Sequence, residues 1–185
     1  MNASTFKGGK QPVGEDFFQT PEWAIEVILP YVKSGSRILE PTYGLGAIAK
    51  VLEKHGCEVV GADKFPKKDT DVKELDFLNI QKEDEILRGI DMIVFNPPFS
   101  DKTRFLKKAM ELGLPFLMLC PMTLLETEKR YNLIKENGLS IILIPKRVNY
   151  LRGADNEMGK VWFASSWFLG NHPDFKHQIL FWRPA

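Results

Sequence analysis

The sequence predicts an α/β fold with a doubly wound, mostly parallel sheet of about seven strands and helices on both faces. Continuous apolar runs without alternation, such as residues 92–95 and 115–121, are typical of parallel strands that are covered on both faces. These runs alternate along the chain with patterns of helical period, such as residues 102–113. Two aromatic-rich segments, residues 161–169 and 178–182, predict a final antiparallel hairpin on the sheet.

Length and composition favour one folded domain. The chain has 185 residues, of which 44% are hydrophobic, and this suffices for one sizeable core but not for two. Residues 1–15 are polar and rich in glycine, so we expect a flexible N-terminal arm before a single domain at residues 16–185. The 25 lysine and arginine residues balance 24 acidic residues, so any basic surface must be local.

The two cysteines and the longest apolar stretch indicate where the protein works. Cys57 and Cys120 lie far apart among apolar neighbours, which is typical of reduced, buried thiols and predicts a cytoplasmic protein. No spacing of cysteine, histidine or acidic residues predicts a metal site. Prolines at positions 115 and 121 interrupt the apolar stretch 114–125, so no membrane span is expected.

The most informative stretch is the apolar strand that ends at Asn96-Pro97-Pro98-Phe99. The two prolines hold φ at about −65° and lack an N–H, so the backbone can neither extend the ladder nor start a helix at once. Asn96 is therefore held at the carboxyl end of a buried strand. An amide oxygen beside rigid backbone carbonyls can accept both hydrogens of an exocyclic amine, and Phe99 offers a flat face for stacking an extruded base.

A strand, a glycine turn and a helix follow one another near residue 40. The strand ends at Glu40-Pro41, and the turn contains Gly44 and Gly46. Both glycines permit positive φ and a close approach of the backbone to a ligand, and the next helix presents free N–H groups at its start. The segment predicts a ligand-binding turn, although an ordinary strand-to-helix turn would also use these glycines.

A second strand, residues 58–63, ends in an acid about 20 residues after the glycine turn. A carboxylate at this position can accept hydrogen bonds from the two hydroxyls of a ribose, so Asp63 is the predicted ribose ligand. Residues 72–75 predict a short edge strand that ends at Asp76-Phe77. For these two residues a capping acid and a core aromatic ring are the alternative interpretation.

The segments that flank the predicted sheet are less specific. Thr20 and Pro21 have the residue types of an N-cap and a first helical position before the apolar pattern of residues 23–32. Residues 146–153 are both basic and aromatic. Within them Lys146, Arg147 and Arg152 could contact a phosphate backbone or flanking bases, and an ordinary surface loop is the alternative.

Three motifs together resemble class I methyltransferases that use S-adenosyl-L-methionine, chiefly those acting on the N6 amine of adenine in DNA. Their order is an aromatic-x-Thr-Pro segment ending at Pro21, the Glu-Pro-x-x-Gly-x-Gly turn, and Asn-Pro-Pro-Phe. This order is similar to that of one subgroup of adenine DNA methyltransferases, and the resemblance runs from about Phe17 to Trp182. It implies a Rossmann-like methyltransferase domain with S-adenosyl-L-methionine as the cofactor.

The resemblance also implies roles for single residues. The segment with Thr20 would close over the methionine end of the cofactor, and Glu40 would stand where the family more often has aspartate, near the cofactor's ammonium. Asp76 would accept a hydrogen bond from the adenine amine, and Phe77 would pack against the adenine ring. Asn96 and the carbonyl of Pro97 would accept the hydrogens of the amine that receives the methyl group.

The expected function is methyl transfer to the exocyclic amine of adenine in nucleic acid, with DNA favoured over RNA. Two alternatives remain open: methylation of a protein glutamine amide, for which the same motif occurs with tyrosine in place of Phe99, and a non-catalytic cofactor-binding or scaffold subunit. Residues 100–185 are needed to finish the sheet, so the family's additional recognition domain has no counterpart among them. Sequence-specific reading of DNA is therefore not expected of this domain alone, and whether a partner subunit assists in target recognition is left open.

Overall fold

The computed structural model describes residues 19–67, 72–152, 157–159, 161 and 163–181. The predicted N-terminal arm, residues 1–15, lies outside these described residues. The strands are β1 Arg37–Glu40, β2 Glu58–Asp63, β3 Lys73–Glu74, β4 Met92–Phe95, β5 Phe116–Pro121, β6 Leu139–Leu143, β7 Tyr150–Arg152, β8 Glu157–Gly159, β9 Ser165–Gly170 and β10 Ile179–Phe181. The helices are α1 Glu22–Glu26, α2 Ala47–Lys54, α3 Lys102–Leu112 and α4 Glu128–Asn137, and short 3₁₀ turns cover Leu29–Tyr31, Phe77–Asn79, Glu85–Leu87, Phe99–Asp101 and Met122–Leu125.

Eight strands form one sheet in the order β10-β6-β9-β5-β4-β1-β2-β3. All neighbouring pairs are parallel except the two that involve β9, which runs antiparallel between β5 and β6. The predicted α/β class with a mostly parallel sheet is confirmed. The strand order switches between β1 and β4, because β2 and β3 follow on one side of β1 whereas β4 and β5 lie on its other side. Open α/β sheets bind ligands at the carboxyl ends of the strands at such a switch point.

The last strands pair differently from the predicted hairpin. β10 pairs with β6 in parallel, so β6 separates it from β9. β9 has six residues and is buried along its whole length, whereas Ile179 and Phe181 of the three-residue β10 are exposed, so the longer strand takes the interior position. The connection between them is held by Asn171, whose Nδ2 donates to the carbonyls of Ala109 and Leu114 at 3.0 and 3.1 Å.

The basic and aromatic segment also contains more regular structure than the sequence indicated. β7 and β8 form a separate two-stranded antiparallel sheet where the sequence predicted a loop. Its first residue, Tyr150, is completely buried, and its hydroxyl donates to Oγ of Ser165 at 2.9 Å. The pairing was not predicted because the anchoring contact of Tyr150 comes from β9 and not from neighbours in sequence.

The core lies on both faces of the central strands. All four residues of β4 are buried, as expected for a central parallel strand. The apolar face predicted for α3 is confirmed, since Phe105, Leu106, Ala109, Met110 and Leu112 are all buried. No helix in the described part of the chain is long and apolar enough to cross a membrane.

The first helix differs from its prediction at its start. α1 begins at Glu22, with Pro21 in the N-cap position in an extended conformation (φ −68°, ψ 144°) and without a side-chain cap. Thr20 therefore does not cap the helix, because Pro21 stays extended and shifts the helix start by one residue. The helix is fastened to the sheet by Trp167, whose Nε1 donates to the carbonyl of Ala24 at 2.7 Å.

The bond from Trp167 should contribute measurably to stability. Trp167→Phe keeps an aromatic ring but leaves the buried carbonyl of Ala24 without this donor, so the free energy of unfolding should fall by about 1 to 3 kcal/mol. Urea denaturation measures the change. Trp23→Phe, at a partly buried indole of the same helix, is the control for ring size. Equal losses in the two variants would contradict a specific role for the Trp167 bond.

Candidate active site

A concavity opens where the carboxyl ends of β1 and β4 meet. Four predicted site residues, Thr20, Glu40, Gly44 and Asn96, come together in its wall although they are spread over three segments of the chain. The full lining consists of Gln19, Thr20, Glu40, Tyr43, Gly44, Leu45, Ala47, Ile48 and Asn96. No cluster of three or more potential metal ligands occurs among the described residues.

Asn96 is held by the hydroxyl groups of two threonines. Its backbone N–H donates to Oγ1 of Thr42 at 3.2 Å, and its side-chain Nδ2 donates to Oγ1 of Thr20 at 3.2 Å. Thr42 belongs to the glycine turn, and Thr20 precedes α1. Because Nδ2 is directed at Thr20, the amide oxygen Oδ1 is directed to the opposite side of the amide group. The sequence contained Thr42 inside a motif but did not indicate its role.

The corner after β4 is rigid and closely packed. Pro97 is buried, and Pro98 is extended (φ −53°, ψ 125°) before the turn at Phe99–Asp101. The ring of Phe99 is 9% exposed and lies edge to face with Tyr150 and Phe163, at centroid distances of 5.6 Å each. The ring predicted to stack on a base is therefore set into an aromatic cluster at the edge of the site.

Glu40 is a buried carboxylate at the start of a helix. It is 1% exposed, and its Oε2 accepts a hydrogen bond from the N–H of Ala49, in the first turn of α2, at 2.9 Å. Burial raises its pKa well above the usual value; the Ala49 N–H opposes this, and the nearby acids Asp63 and Glu53 add to it. The site thus contains a carboxyl group whose ionised form would gain from a cationic ligand.

The glycine turn has the predicted conformation, and part of its cause lies within the protein. Gly44 and Gly46 have positive φ, 56° and 71°. A Cβ at Gly46 would lie 2.7 Å from the ring of Tyr43, and a Cβ at Gly61 in β2 would lie 2.6 Å from the same ring. Gly46 and Gly61 therefore both leave space for the ring of Tyr43, and the motif alone did not reveal this packing requirement.

Asp63 links the end of β2 to the glycine turn. Its Oδ2 accepts from the N–H of Gly44 at 2.9 Å, and its Oδ1 accepts from the N–H of Phe65 at 2.8 Å. Phe65 is 59% exposed, so an aromatic face stands beside the predicted ribose ligand. Sequence reasoning missed Phe65; its only signal was an aromatic residue two positions after the acid.

Asp76 and Phe77 make their contacts with other residues of the protein in this structure. Burial alone would raise the pKa of Asp76, but an ion pair with Lys64 (2.8 Å) and the N–H of Leu78 (3.1 Å) hold it below its usual value. Phe77 is 1% exposed and stacks on Phe105 with centroids 5.5 Å apart. The geometry thus favours the alternative given for this pair, a capping acid and a core ring.

Two of the predicted substrate cations, Lys146 and Arg147, lie outside the wall of the concavity. Lys146 is exposed, with its Nζ 4.3 Å from the ring centroid of Trp23. Arg147 is also exposed and donates from Nη1 to the carbonyl of Val161 at 3.2 Å. Arg152 lies in β7, and its side chain is outside the described part of the structure.

Comparisons with known proteins give relatives among methyltransferases, while no family model matches the chain. The chain is 32% identical over 108 residues to the 23S rRNA (uracil(747)-C(5))-methyltransferase of Pyrococcus abyssi, covering 52% of this chain and 26% of that protein. The chain thus spans about a quarter of the length of this curated relative.

Solved structures show the same fold at low sequence identity. A candidate RNA methyltransferase from Pyrococcus horikoshii superposes with a TM-score of 0.60 at 16% identity, over 89% of this chain and 91% of that chain. The 23S rRNA methyltransferase ErmE superposes with a TM-score of 0.59 at 11% identity, over 87% of this chain and 71% of that chain. The chain therefore has the Rossmann-like fold seen in these methyltransferases.

Proposed function

We propose that the chain is an S-adenosyl-L-methionine-dependent methyltransferase that acts on the exocyclic amine of adenine in a single-stranded nucleic acid. The observation that carries the proposal is the Asn96 amide at the carboxyl end of β4, held by Thr20 and Thr42 beside the concavity that contains Glu40. The RNA methyltransferases among the similar proteins make RNA the first substrate to test, ahead of DNA.

The residues of the concavity fit this cofactor. Glu40 is a buried carboxylate suited to an ammonium, and the buried Oε1 of Gln19, which also lines the concavity, has no donor among the described residues. Asp63 keeps further lone pairs for ribose hydroxyls, since a carboxylate can accept about four hydrogen bonds. Phe65 offers the exposed ring for adenine, in place of the buried Phe77. When bound, the cofactor supplies a methyl group on a positively charged sulfur.

The protein's contribution to the reaction is orientation. The Oδ1 of Asn96 and the carbonyl of Pro97 accept the two hydrogens of the amine, so that the nitrogen lone pair is withdrawn from the ring and directed at the methyl group. Holding two reactants in line removes most of the entropic barrier, and no strong base is required. Phe99, supported by Tyr150 and Phe163, borders the space for the base.

Methylation at uracil C5 is the second candidate, because the curated relative from Pyrococcus abyssi carries that activity. A ring carbon has no lone pair to donate, and adding a thiolate to the neighbouring carbon is a general way to make it nucleophilic. Cys57 and Cys120 are both buried, and burial raises the pKa of Cys120 to about 12. The cysteines of this chain are poorly suited to that step, whereas Asn96 suits an amine.

Methyl transfer from a radiolabelled cofactor tests the proposed function directly. The acceptors are single-stranded RNA, single-stranded DNA, duplex DNA and a glutamine-containing peptide, offered in parallel, with the methylated product identified after digestion. Adenine methylated at its amine is the expected product. Labelled uracil would move the C5 reaction to first place, a labelled peptide would favour the amide reaction, and no transfer would leave the scaffold subunit.

Phe65 should contribute to cofactor binding. Phe65→Ala removes the exposed ring beside Asp63 and should weaken binding of S-adenosyl-L-methionine by about 1 to 2 kcal/mol, measured by isothermal titration calorimetry. Phe181→Ala is the matched control, since this ring on β10 is 68% exposed and lies at the far edge of the sheet. Equal affinity in the Phe65 variant and the parent would remove Phe65 from the site.

The ionised carboxylate of Glu40 should lower the free energy of unfolding while it increases the affinity for S-adenosyl-L-methionine. Its raised pKa means that its stabilising contribution is complete below the pKa of an unfolded glutamate and is lost as pH rises through the folded value. Glu40→Gln should therefore match the parent in acid and exceed its free energy of unfolding at higher pH by on the order of 1 kcal/mol, because no buried charge forms.

The same variant should bind S-adenosyl-L-methionine more weakly by about 1.5 to 3 kcal/mol, the contribution of a hydrogen bond to a charged group. Thermal unfolding over a pH series and calorimetry give the two values. Glu53→Gln, which removes an exposed acid from α2, is the control and should change neither value much. A glutamine variant that is less stable than the parent at every pH would contradict a destabilising buried charge at Glu40.

Asn96 should be required for transfer and nearly dispensable for cofactor binding. Asn96→Ala removes the acceptor for the amine, so kcat should fall by about 100-fold or more, the scale seen on removing one oriented hydrogen-bonding group at a reacting centre. Cofactor affinity, measured by calorimetry, should stay within about threefold because Glu40 and Asp63 remain. Substantial turnover in the variant would refute the adenine mechanism.

A further inference from the structure

Thr42 continues the strand ladder with a side chain. β1 and β4 pair in parallel through Ile38–Met92 and Leu39–Ile93, partners 54 positions apart. Thr42 and Asn96 are also 54 positions apart, and there the Thr42 hydroxyl accepts the hydrogen bond of the Asn96 N–H. Three positions beyond the Leu39–Ile93 pair, the acceptor is thus a side-chain Oγ1 and not a backbone carbonyl.

Pro41 explains why a side chain is needed at this place. Proline lacks an N–H and directs the chain out of β1 into the glycine turn, so the backbone ladder stops before it reaches Asn96. The N–H of Asn96 is half-buried and requires an acceptor. Thr42 provides it from inside the turn, so the position of Asn96 depends on the conformation of the turn that faces the concavity.

Thr20 holds the side-chain amide of Asn96. The extended Pro21 leaves α1 without a side-chain cap, which frees the Thr20 hydroxyl to accept from Nδ2 of Asn96. The residue before a proline is itself restricted to extended conformations, so Thr20 has little freedom to move. It is 4% exposed, which shields the bond from water.

We infer that Thr20 and Thr42 are positioning residues, which hold Asn96 so that its amide oxygen, and not its NH₂ group, faces the acceptor. This inference rests on the proposed function and deepens it. A site that presents an oxygen selects acceptors with N–H hydrogens, such as an amine or a primary amide, and gives no such bond to a ring carbon. The two threonines therefore contribute to the choice of substrate class without contacting the substrate.

Variants that lose the hydroxyl of Thr20 or Thr42 should show a lower rate of methyl transfer without a matching loss of cofactor binding. Thr42→Val and Thr20→Val keep the branched shape but remove the acceptor, and a misplaced reacting group can cost about 100-fold in rate. We expect the rate constant of methyl transfer to fall at least about tenfold in each variant, and the dissociation constant of S-adenosyl-L-methionine to stay within about threefold of the parent in Thr42→Val, which lies outside the lining of the concavity. Thr42→Ser and Thr20→Ser keep the hydroxyl and should restore most of the rate.

The experiment measures single-turnover methyl transfer from a tritiated cofactor to adenine-containing single-stranded RNA and DNA oligonucleotides, for the parent and the four variants. Calorimetry with S-adenosyl-L-methionine and thermal unfolding are run on the same preparations. A purely structural role would lower the unfolding temperature and leave the single-turnover rate constant of the folded protein unchanged. If Thr42→Val does not fold, the pair Thr20→Val and Thr20→Ser decides the question.

The outcomes separate this inference from the proposed function. A slow valine variant, rescued by serine at the same position and normal in cofactor binding, supports the positioning role. An active parent with equally active valine variants overturns the inference and leaves the function standing. A parent that methylates neither oligonucleotide overturns the proposed function, and the inference falls with it.

Discussion

The structure depends on one meeting point, where β1 and β4 end side by side and Pro41 interrupts the ladder between them. The interruption is what opens the concavity, because the chain leaves β1 and turns through Gly44 and Gly46 instead of continuing the sheet. The hydroxyl of Thr42 accepts a hydrogen bond from the N–H of Asn96 beyond the point where the backbone ladder stops. The same break thus creates the space for a ligand and fixes the amide beside it.

The acids of the site carry a structural and a proposed functional role together. Glu40 supports the start of α2 through Ala49, and Asp63 supports the glycine turn through Gly44. A carboxylate can do both because it has several lone pairs and a protein N–H occupies only one of them. Glu40 is destabilised by its burial, and a cationic ligand would offset that cost. Strain of this electrostatic kind is typical of binding sites.

The comparisons and the local chemistry contribute different kinds of information. A TM-score of 0.60 to a candidate RNA methyltransferase describes the arrangement of strands and helices, and many functions can use one such arrangement. The choice between an amine and a ring carbon as the acceptor rests on single side chains. The buried thiols of Cys57 and Cys120 and the oriented amide of Asn96 are the observations behind the proposed amine acceptor, whereas the curated relative is named for a uracil carbon.

The amino-acid sequence alone determined the features that depend only on residues close together along the chain. The buried strand β4, the apolar face of α3 and the positive φ of Gly44 and Gly46 were all predictable, since each depends on periodicity or on backbone sterics within a few residues. The order of the three motifs likewise identified Thr20, Glu40 and Asn96 as residues that would share one site.

Tertiary structure decided the features that depend on partners distant in sequence. The place of β10 beyond β6 follows from the burial of β9, and the burial of Phe77 follows from its stacking on Phe105. The hydroxyl of Thr20 bonds Asn96, 76 positions away, instead of capping the helix that follows it. Local sequence patterns cannot predict these contacts. The residue type determines which contacts a side chain is able to make, but the packing of the whole chain determines which partner it meets.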